Sequence, residues 1–543
     1  MFLLISFFCI FTGAMPDDGD DDIYTKINKN MDVFGRIYKE IALNYVDEIN
    51  PDKFMQAGIE GMLGTLDPYT NFIDESRKDE VDMLTTGKYG GVGITIGVKD
   101  SQFVVTDLLD GYSAQKEGIK RGDKLFEIDG NIVQGKRMTE IRAMIRGEAG
   151  TKVKVKIKRG ENEIEFSLTR QEIKLKNVTY KGMLEDGIGY IKLERFNKYA
   201  ENEVLDALTE FKSKGELKGI VFDLRDNPGG LLDAAVGILN KFVDRGSLLL
   251  TTKGRKQESE RKYFSTQEPV IDKNIPLILL VNEGSASASE IVAGAIQDLD
   301  RGVILGTKTF GKGLVQVFTP LSYGNQLKIT NQKYFTPSGR WIQLKNYFKE
   351  NKYGVFAPNP YFNQIEFKTL DGRIVYAEGG ITPDTAVVFT MNNDLLIALN
   401  EQDMYFKFAE QFVHQNPDAN SFSMNDNLVQ LFYDFVNSEN FQFKSTVDKE
   451  ILKLKNYLSD NQYSEKTKQL ASDLESSLST ERFKDFETSR NMIKRILEIE
   501  ILKKYGKADE VIIQSSLKDD AQVNTAISLI KDKAVYNSLL SPR

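Results

Sequence analysis

A run of small and polar residues carries the strongest chemical signal in this chain. The run reads Gly-Ser-Ala-Ser-Ala-Ser-Glu-Ile over residues 284–291. Residues 277–281 before it are apolar, which is typical of a buried parallel strand, and apolar residues recur at helical spacing after it, so a helix is predicted to begin near Ser287. At a helix N-terminus, free N–H groups and the helix dipole favour negative charge. The sequence therefore predicts a serine nucleophile with an oxyanion hole beside it.

A serine nucleophile needs a base, and the composition restricts the choice. The chain has one histidine, His414, far downstream in a different kind of sequence, which makes a Ser-His-Asp triad a poor model. A Ser-Lys pair is the remaining variant of the same chemistry. Lys312 lies on the next predicted loop between two glycines, and burial can lower an amine pKa from about 10.4 by several units. Gln316 could hold this amine in place.

Three other interpretations of the same stretch are weaker. Residues 306–313 nearly match the phosphate-binding loop G-x-x-x-x-G-K-[ST], but Gly313 replaces the hydroxyl residue that binds magnesium. A plain serine-rich linker is disfavoured by the strand pattern before the run and the helix pattern after it. Lys308 is a competing base, although a solvated loop lysine is the simpler interpretation of that residue.

At these residues the chain resembles the carboxy-terminal processing peptidases, also called tail-specific proteases. The matching motifs are Gly-Ser-Ala-Ser-Ala-Ser-Glu-Ile and Thr-Phe-Gly-Lys-Gly-x-x-Gln. In that family the middle serine is the nucleophile, and a lysine at a fixed distance along the chain is the general base. The resemblance implies Ser287 and Lys312 as the catalytic pair and Gln316 as the family's glutamine. It implies no metal and no cofactor.

Length, charge and cysteine content restrict the class of protein. The 543-residue length suggests several domains, and the net charge of −8 gives no reason to expect nucleic acid as a partner. Residues 2–11 fit the apolar core of a secretory signal with a small-residue cleavage site at 12–14, although a positive n-region is absent. The only cysteine, Cys9, falls in this segment. We therefore predict a signal peptide over 1–14 and a disulfide-free protein of the periplasm or cell envelope.

Residues 22–77 are predicted to form an N-terminal helical arm. Apolar residues at helical spacing mark one face over 23–50, and a second helix is expected over 51–66 before Asp67-Pro68-Tyr69-Thr70 breaks it. The resemblance implies an arm that often packs against another subunit, which makes a homodimer one option. A helical cap on the same subunit fits the pattern equally well.

Residues 78–172 resemble a PDZ domain. A glycine-rich loop at 88–94 runs into a predicted strand over 93–98. The loop backbone can hold a terminal carboxylate while a peptide adds a strand along 93–98, so the expected partners are proteins or peptides with a free C-terminus. A dinucleotide-binding fingerprint is excluded because a strand, not a helix, follows the glycines. The candidate tail-binding residues are Gly90, Gly91, Val92, Gly93 and Ile94.

Residues 174–390 are predicted to form an α/β core. Strand and helix patterns alternate over 188–193, 200–214 and 219–224, and Arg225-Asp226-Asn227-Pro228-Gly229-Gly230 follows. This segment resembles the family's Leu-Arg-x-Asn-Pro-Gly-Gly element. The resemblance implies an oxyanion hole formed by the N–H groups of Gly229 and Ala288, with Gly230 as the alternative donor. A helix-start turn without a catalytic role is the less favoured alternative.

The last part of the chain, residues 391–543, is predicted to be a helical C-terminal domain. Glycine is almost absent there, and leucine, lysine, glutamate and aspartate recur with helical periodicity. His414 falls in this region and is interpreted as a surface or packing residue. Residues 345–372 look like a loop-rich insertion. The predicted fold is a multidomain α+β protein: a crotonase-like α/β peptidase core with an inserted PDZ domain and helical N- and C-terminal extensions.

These predictions lead to one main functional hypothesis and two alternatives. The main hypothesis is a Ser-Lys serine endopeptidase that cleaves envelope proteins or peptides after its PDZ domain recognises their C-terminal tail. The first alternative is a non-catalytic PDZ tail-binding adaptor or holdase, which leaves the serine and lysine at the family spacing unexplained. The second is an acyl-thioester enzyme on a crotonase-like core, and the PDZ insertion argues against it.

Overall fold

The computed structural model describes residues 18–99, 101–345, 347, 365–387, 394–439, 441–443, 445–461 and 463–542. The predicted signal segment, with Cys9, and most of the predicted insertion at 345–372 lie outside these residues. Contacts divide the described chain into two compact units. We call residues 18–73, 316–330 and 347 the arm unit, and the remaining residues the main unit. Among the described helices, none has the length and apolar character needed to cross a membrane.

The arm unit begins with two helices and a short strand: α1 (Asp18–Asn44), α2 (Pro51–Leu63) and β1 (Asn71–Ile73). Asn50 caps α2 by accepting a hydrogen bond from Lys53 N, and proline occupies the first helical position, where its missing N–H is harmless. The ring of Tyr38 on α1 stacks on Phe54 of α2, with 5.5 Å between the ring centroids. β1 pairs antiparallel with residues 326–328. Both predicted helices are therefore present.

The PDZ region of the main unit is an antiparallel sheet with short helices. Its elements are α3 (Lys78–Thr86), β2 (Lys88–Gly91), β3 (Ile94–Lys99), β4 (Gln102–Leu108), α4 (Ser113–Glu117), β5 (Lys124–Ile128), β6 (Asn131–Ile132), α5 (Met138–Ile145), β7 (Lys152–Arg159), β8 (Asn162–Thr169) and β9 (Gln171–Lys174). The main strands follow the order β3-β4-β5-β7-β8. β3 is an edge strand, as strand addition by a peptide requires.

The glycine-rich stretch at 88–94 is predicted to be a loop, but its first half is a strand. Residues 88–91 form β2, which pairs antiparallel with β9 and places Tyr89 opposite Ile173. The glycines permit a close approach: a β-carbon built on Gly90 would lie 1.8 Å from the carbonyl oxygen of Gly147. Glycine is thus needed here for backbone contact within the domain, a constraint that the local pattern does not reveal.

The α/β core has a six-stranded sheet in the order β10-β11-β12-β15-β16-β21, parallel except at β10. Its helices are α6 (Ala200–Ser213), α7 (Leu232–Leu239) and α8 (Ala288–Asp298). Strands β12 and β15 are wholly buried, as expected when both faces of a parallel sheet are covered. The core strands are β10 (Val178–Met183), β11 (Ile188–Leu193), β12 (Gly219–Asp223), β13 (Leu248–Gly254), β14 (Arg261–Phe264), β15 (Leu277–Val281), β16 (Val303–Gly306), β17 (Leu314–Pro320), β18 (Gln326–Phe335), β19 (Glu366–Lys368), β20 (Ile374–Tyr376) and β21 (Thr385–Ala386).

Several of these strands were not anticipated by the sequence analysis. β13 pairs antiparallel with β14 and with residues 332–335 of β18. β19 and β20 form a hairpin inside and just after the segment predicted to be a loop-rich insertion. These strands are short or lack strict alternation, so their pairing depends on partners distant in sequence.

The C-terminal region is helical, as predicted. Aromatic residues of α10 and α11 and aliphatic residues of α14 build a core of their own, in which Phe408 contacts Phe432 edge-to-face at 5.3 Å between ring centroids. The helices are α9 (Asp394–Glu401), α10 (Met404–Gln415), α11 (Asp426–Ser438), α12 (Thr446–Asp460), α13 (Glu465–Thr488), α14 (Arg490–Lys504), α15 (Asp509–Leu517), α16 (Ala521–Lys531) and α17 (Lys533–Leu539).

The last three helices of this region, α15, α16 and α17, pack on the six-stranded sheet of the α/β core. α6, α7 and α8 cover one face of the six-stranded sheet. Apolar residues of α15, α16 and α17 cover the other face. The Tyr536 hydroxyl contacts the sheet backbone directly: it accepts a hydrogen bond from Leu277 N at 3.0 Å and lies 3.2 Å from Leu277 O. The helices that complete the core therefore come from the end of the chain.

A buried ion pair links the same helices to the loop after β12. Arg225 donates to the Asp223 carboxylate and, at 2.9 Å, to Asp520 at the start of α16. Both carboxylates are about 1% exposed or less. Arg225 therefore neutralises buried charge while joining two distant segments.

We expect Arg225→Ala to lower the free energy of unfolding by about 3 kcal/mol, because it removes the cation that pairs with the buried Asp223 and leaves Asp520 paired with Arg495 alone. Urea unfolding followed by tryptophan fluorescence and circular dichroism measures the change. The exposed Arg245, changed to alanine, is the control, for which a shift within about 0.5 kcal/mol is expected. Equal stability of the two variants would contradict this account.

Candidate active site

Three neighbouring parallel strands deliver the candidate site residues to one edge of the core sheet. β12, β15 and β16 lie side by side. The loops at their carboxyl ends are 224–231, 282–287 and 307–313, which contain Gly229, Ser287 and Lys312. Because parallel strands end at the same edge, residues far apart in sequence meet there.

Ser287 occupies a strained position at the start of α8. Its backbone angles are φ 56° and ψ −111°, and Ser289 N donates to Ala286 O at 3.1 Å. This is the geometry of a type II′ turn, in which glycine usually takes the position held here by Ser287. Holding a serine there costs on the order of 1–3 kcal/mol. Such strain persists only where the surroundings impose it, and it is common at functional sites.

The two neighbouring serines have structural partners. Ser285 and Ser289 are fully buried. The Ser285 hydroxyl donates to Leu224 O at 2.8 Å, and the Ser289 hydroxyl donates to Asn227 O at 2.9 Å. Ser287 is partly exposed. Of the three serines, only Ser287 therefore presents its side chain toward solvent.

Asn227 joins the loop after β12 to the Ser287 turn, a role that the sequence analysis did not assign. Its carbonyl accepts from Ala286 N at 3.0 Å as well as from the Ser289 hydroxyl. Its buried side-chain amide donates to Leu193 O at 2.8 Å. The asparagine in the Asn-Pro-Gly-Gly motif was the available signal, but its partners are distant in sequence.

Gly229 lies directly against the Ser287 turn and leaves no room for a side chain there. A β-carbon built on Gly229 would lie 2.8 Å from Ala288 N and 2.9 Å from the Ser287 β-carbon, and its φ is +94°. The N–H of Gly229 donates to the Asn227 side chain at 2.9 Å. Within the described part of the chain, no acceptor engages the N–H of Gly230 or Ala288. Of the three N–H groups considered from the sequence, those of Ala288 and Gly230 are thus the ones without an acceptor in this part of the chain.

Glu290 connects the serine loop to the lysine loop. This fully buried carboxylate accepts four hydrogen bonds. One oxygen accepts from Ser287 N at 2.8 Å and from Lys312 N at 2.9 Å, and the other accepts from Gly311 N and the Thr309 hydroxyl, both at 2.6 Å. The backbones of Ser287 and Lys312 therefore share one acceptor atom. The sequence signal is a glutamate three residues after the N-cap serine, as in a capping box, but that pattern does not reveal the bonds to the lysine loop.

The same surroundings change the acidity of Glu290. Burial raises the pKa of this carboxyl from 4.5 to about 7, against the opposing effect of hydrogen bonds from the Thr309 hydroxyl and three backbone N–H groups. The carboxylate therefore gains or loses its proton near neutral pH.

Other interactions hold the backbone around Lys312. Gly313 N donates to the Gln343 side chain at 2.8 Å, and the Trp341 indole donates to Gly313 O at 2.9 Å. Leu344 N donates to Gly311 O at 2.9 Å. The loop is therefore anchored on both sides of Lys312.

The other candidate bases and the predicted orienting residue have separate environments. Lys308 donates to Glu378 O at 3.0 Å and forms an ion pair with the carboxylate of the same residue. His414 is exposed on α10. Gln316 belongs to the arm unit, where its amide donates to the Thr330 hydroxyl at 3.1 Å. A role for Gln316 in orienting Lys312 stays a prediction.

The five candidate tail-binding residues form one continuous segment between two strands. Gly90 and Gly91 end β2, Val92 is buried, and Ile94 begins the edge strand β3. Gly93 has a φ of +84°, and a β-carbon there would lie 2.4 Å from that of Tyr112. Glycine is therefore required at this position, immediately before the open edge of β3.

Comparison with protein families finds three matching models. Residues 187–349 match peptidase family S41, residues 104–159 match a PDZ domain, and residues 395–530 match the family described as probable PDZ-protease, C-terminal helical domain. The chain is 37% identical over 320 residues to the carboxy-terminal-processing protease of Bartonella bacilliformis, covering 58% of this chain and 73% of that protein.

Two further proteins extend the comparison. The chain is 31% identical over 380 residues to the carboxy-terminal processing protease CtpA of Bacillus subtilis, covering 70% of this chain and 79% of that protein. The solved photosystem II D1 C-terminal processing protease is 28% identical, with a TM-score of 0.37 and coverage of 65% of this chain and 92% of that one.

We expect Gly229→Ala to lower kcat for peptide hydrolysis by about 100-fold or more, because the added methyl group would clash with the Ser287 turn and displace the Ala288 N–H. Steady-state kinetics on a peptide with a free C-terminus measures the loss. Gly246→Ala is the matched control, because Gly246 has a similar φ of +88° but open space around its α-carbon. Equal activity of the two variants would show that the close packing of Gly229 on the Ser287 turn is not needed for activity.

Proposed function

The chain belongs to the carboxy-terminal processing proteases, a family of serine-type peptidases, and we propose that Ser287 and Lys312 form its catalytic dyad. The observation that supports this most directly is the shared acceptor: one oxygen of Glu290 binds the backbone N–H of both residues. The two loops are therefore held side by side. The strained backbone of Ser287 and its partly exposed side chain are further support.

In the proposed reaction Lys312, as the neutral amine, takes the proton of the Ser287 hydroxyl while its oxygen attacks the scissile carbonyl carbon. Protein packing around an amine lowers its pKa by disfavouring the charged form, which is what a lysine base needs. The carbonyl oxygen becomes an oxyanion and accepts hydrogen bonds from Ala288 N–H and a glycine N–H. Gly230 supplies this second donor more readily than Gly229, whose N–H already donates to Asn227.

The intermediate then collapses. The C–N bond breaks, and the Lys312 ammonium gives its proton to the leaving amine, which departs as one product. The acyl group stays on Ser287 as an ester. Lys312 next takes a proton from a water molecule that attacks the ester, and proton return to the Ser287 oxygen restores the enzyme and releases the carboxylic acid product. Gln316 is proposed to orient the Lys312 amine during these transfers.

We also propose that the PDZ domain recruits substrates by their C-terminal tail. The segment 90–94 lies immediately before the open edge of β3, so the terminal carboxylate would bind at the segment while the upstream residues pair with β3. Substrates are then proteins or peptides with a free C-terminus. A peptide that is identical except for an amidated C-terminus should be cleaved less efficiently.

The apolar segment at residues 2–11 supports export, and we propose that the substrates are proteins of the periplasm or cell envelope. Cell fractionation of the full chain, compared with a chain starting after residue 14, tests this. Recovery of the full chain in the cytoplasm would count against it.

We expect Ser287→Ala and Lys312→Ala each to lower kcat/KM by about 10⁴-fold or more, because each removes an obligatory group of the dyad. Hydrolysis of a peptide with an apolar free C-terminus is the assay. Lys308→Ala is the matched control, since Lys308 is paired with Glu378, and wild-type activity is expected there. Substantial activity of the Lys312 variant would refute the dyad.

The arm unit supports a second proposal, a homodimer formed through α1. Residues of the predicted apolar face remain exposed there, with Ile27 49% and Met31 62% accessible to solvent. Contiguous exposed apolar surface is typical of an interface. We propose that a second copy of the chain covers this face.

We expect Ile27→Glu combined with Met31→Glu to convert the dimer to a monomer in light scattering of the purified protein, because it places charge in an apolar interface. Lys29→Glu puts one charge on another side of the same helix and should leave the dimer intact. A wild-type protein that is monomeric at micromolar concentration would contradict the proposal.

A further inference from the structure

The hydrogen bonds of Glu290 exceed what a helix cap needs. A capping-box glutamate accepts from the backbone N–H of its N-cap residue, here Ser287. Glu290 accepts in addition from Thr309, Gly311 and Lys312, all on the loop after β16. The bonds to Thr309, Gly311 and Lys312 do not cap any N–H group of α8. They fix the position of the loop that contains Lys312 relative to the turn that contains Ser287.

We propose that Glu290 is a positioning residue of the reaction, whose carboxylate holds the Ser287 turn and the Lys312 loop in the relative position that proton transfer requires. This inference rests on the Ser-Lys mechanism proposed above. Glu290 acts through the two backbones, and its side chain is buried behind them. Movement of either loop stretches bonds to a single shared oxygen, so displacement of one loop is resisted by the other.

The donor set specifies an ionised carboxylate. All four partners of Glu290 approach as donors, three backbone N–H groups and one hydroxyl. An ionised carboxylate only accepts, whereas an amide or a protonated carboxyl also donates. A glutamine amide nitrogen in place of the oxygen shared by Ser287 and Lys312 would face two N–H groups. An amide nitrogen in place of the other oxygen would face the Gly311 N–H, which is also a donor. The Thr309 hydroxyl could rotate to accept from that nitrogen, but the Gly311 N–H could not.

The strain at Ser287 makes this support necessary. The residue keeps φ 56° and ψ −111° because its N–H is held by Glu290 and its carbonyl accepts from Ile291 N at 2.9 Å. Without the carboxylate, the turn loses the restraint on its N–H and can relax toward an ordinary serine conformation. A shift of about 1 Å in a reacting group can lower a rate about 100-fold.

The expected pH dependence follows from the acidity of Glu290. Protonation near pH 7 turns an acceptor into a donor, so the rate should fall as the pH decreases through this value. The titratable group whose charge interacts with Glu290 is Tyr334, whose pKa burial raises well above 10. Tyr334 therefore stays neutral over this range, and the decrease in rate is assigned to Glu290.

The test compares Glu290→Gln with Glu283→Gln, which makes the same chemical change in the loop that precedes α8. Glu283 is exposed, and its carboxylate accepts a hydrogen bond from the Thr307 hydroxyl at 3.0 Å. The measurements are kcat and KM for a free-C-terminus peptide, the rate of Ser287 labelling by a fluorophosphonate between pH 6 and 9, and the affinity of the PDZ domain for the same peptide in the full chain.

We expect Glu290→Gln to lower kcat and the labelling rate about 100-fold while KM and tail affinity change less than about twofold, because only the reacting groups move. In Glu290→Gln the labelling rate should no longer show the decrease toward low pH that protonation of Glu290 causes. Glu283→Gln should match the wild type. Glu290→Asp keeps the charge but is too short to reach all four donors, so an intermediate kcat is expected.

The outcomes separate this inference from the dyad itself. Wild-type kcat and an unchanged pH profile in Glu290→Gln, with Ser287→Ala and Lys312→Ala inactive, would overturn the positioning role and leave the dyad intact. Activity in either dyad variant would overturn the dyad, whatever Glu290→Gln does. If Glu290→Gln does not fold, Glu290→Asp carries the test, and wild-type kcat in that variant would overturn the proposal.

Discussion

The site is organised around one buried anion and the donors that need it. The start of α8 and the loop before β17 both present backbone N–H groups in the interior, and Glu290 accepts from each of them. A buried donor without an acceptor costs about 1–3 kcal/mol. The three amides and the Thr309 hydroxyl therefore strongly favour a single arrangement of the two loops. The positive end of the helix dipole offsets part of the cost of burying the carboxylate.

The core sheet determines which loops can meet at this anion. β12, β15 and β16 are adjacent and parallel, so the glycine, serine and lysine loops leave the sheet side by side. Helices cover both faces of the sheet, which leaves its carboxyl edge as the place where loops can build a site. One face is covered by α15, α16 and α17, which lie at the end of the chain. Arg225, in the loop after β12, bonds Asp520 at the start of α16, although the two residues are 295 positions apart in the sequence.

The C-terminal helices also contact the PDZ region of the same unit. The Lys99 amine at the end of β3 lies 2.7 Å from the Asp403 carboxylate and 3.5 Å from the centroid of the Phe406 ring. The amine of Lys504 lies 4.1 Å from the same ring centroid and bonds Arg121 O at 3.3 Å. Paired charges and cation–π contacts of this kind are stronger when partly desolvated, as here. The helical region thus joins the PDZ region and the peptidase core, although the sequence suggests a separate appendage.

The sequence by itself determined the elements with strong local patterns: the arm helices, the strand before Ser287, the helix after it, and the helical C-terminus. Motif resemblance singled out Ser287 and Lys312, because the residue types and their spacing are local properties of the chain. Only the tertiary structure decided the rest. The occupied N–H of Gly229, the role of Asn227 and the four bonds of Glu290 depend on partners from separate loops. The strand β2 and the packing of α16 on the sheet likewise depend on distant partners. Periodicity reports which face of an element is apolar, but it does not report which other element covers that face.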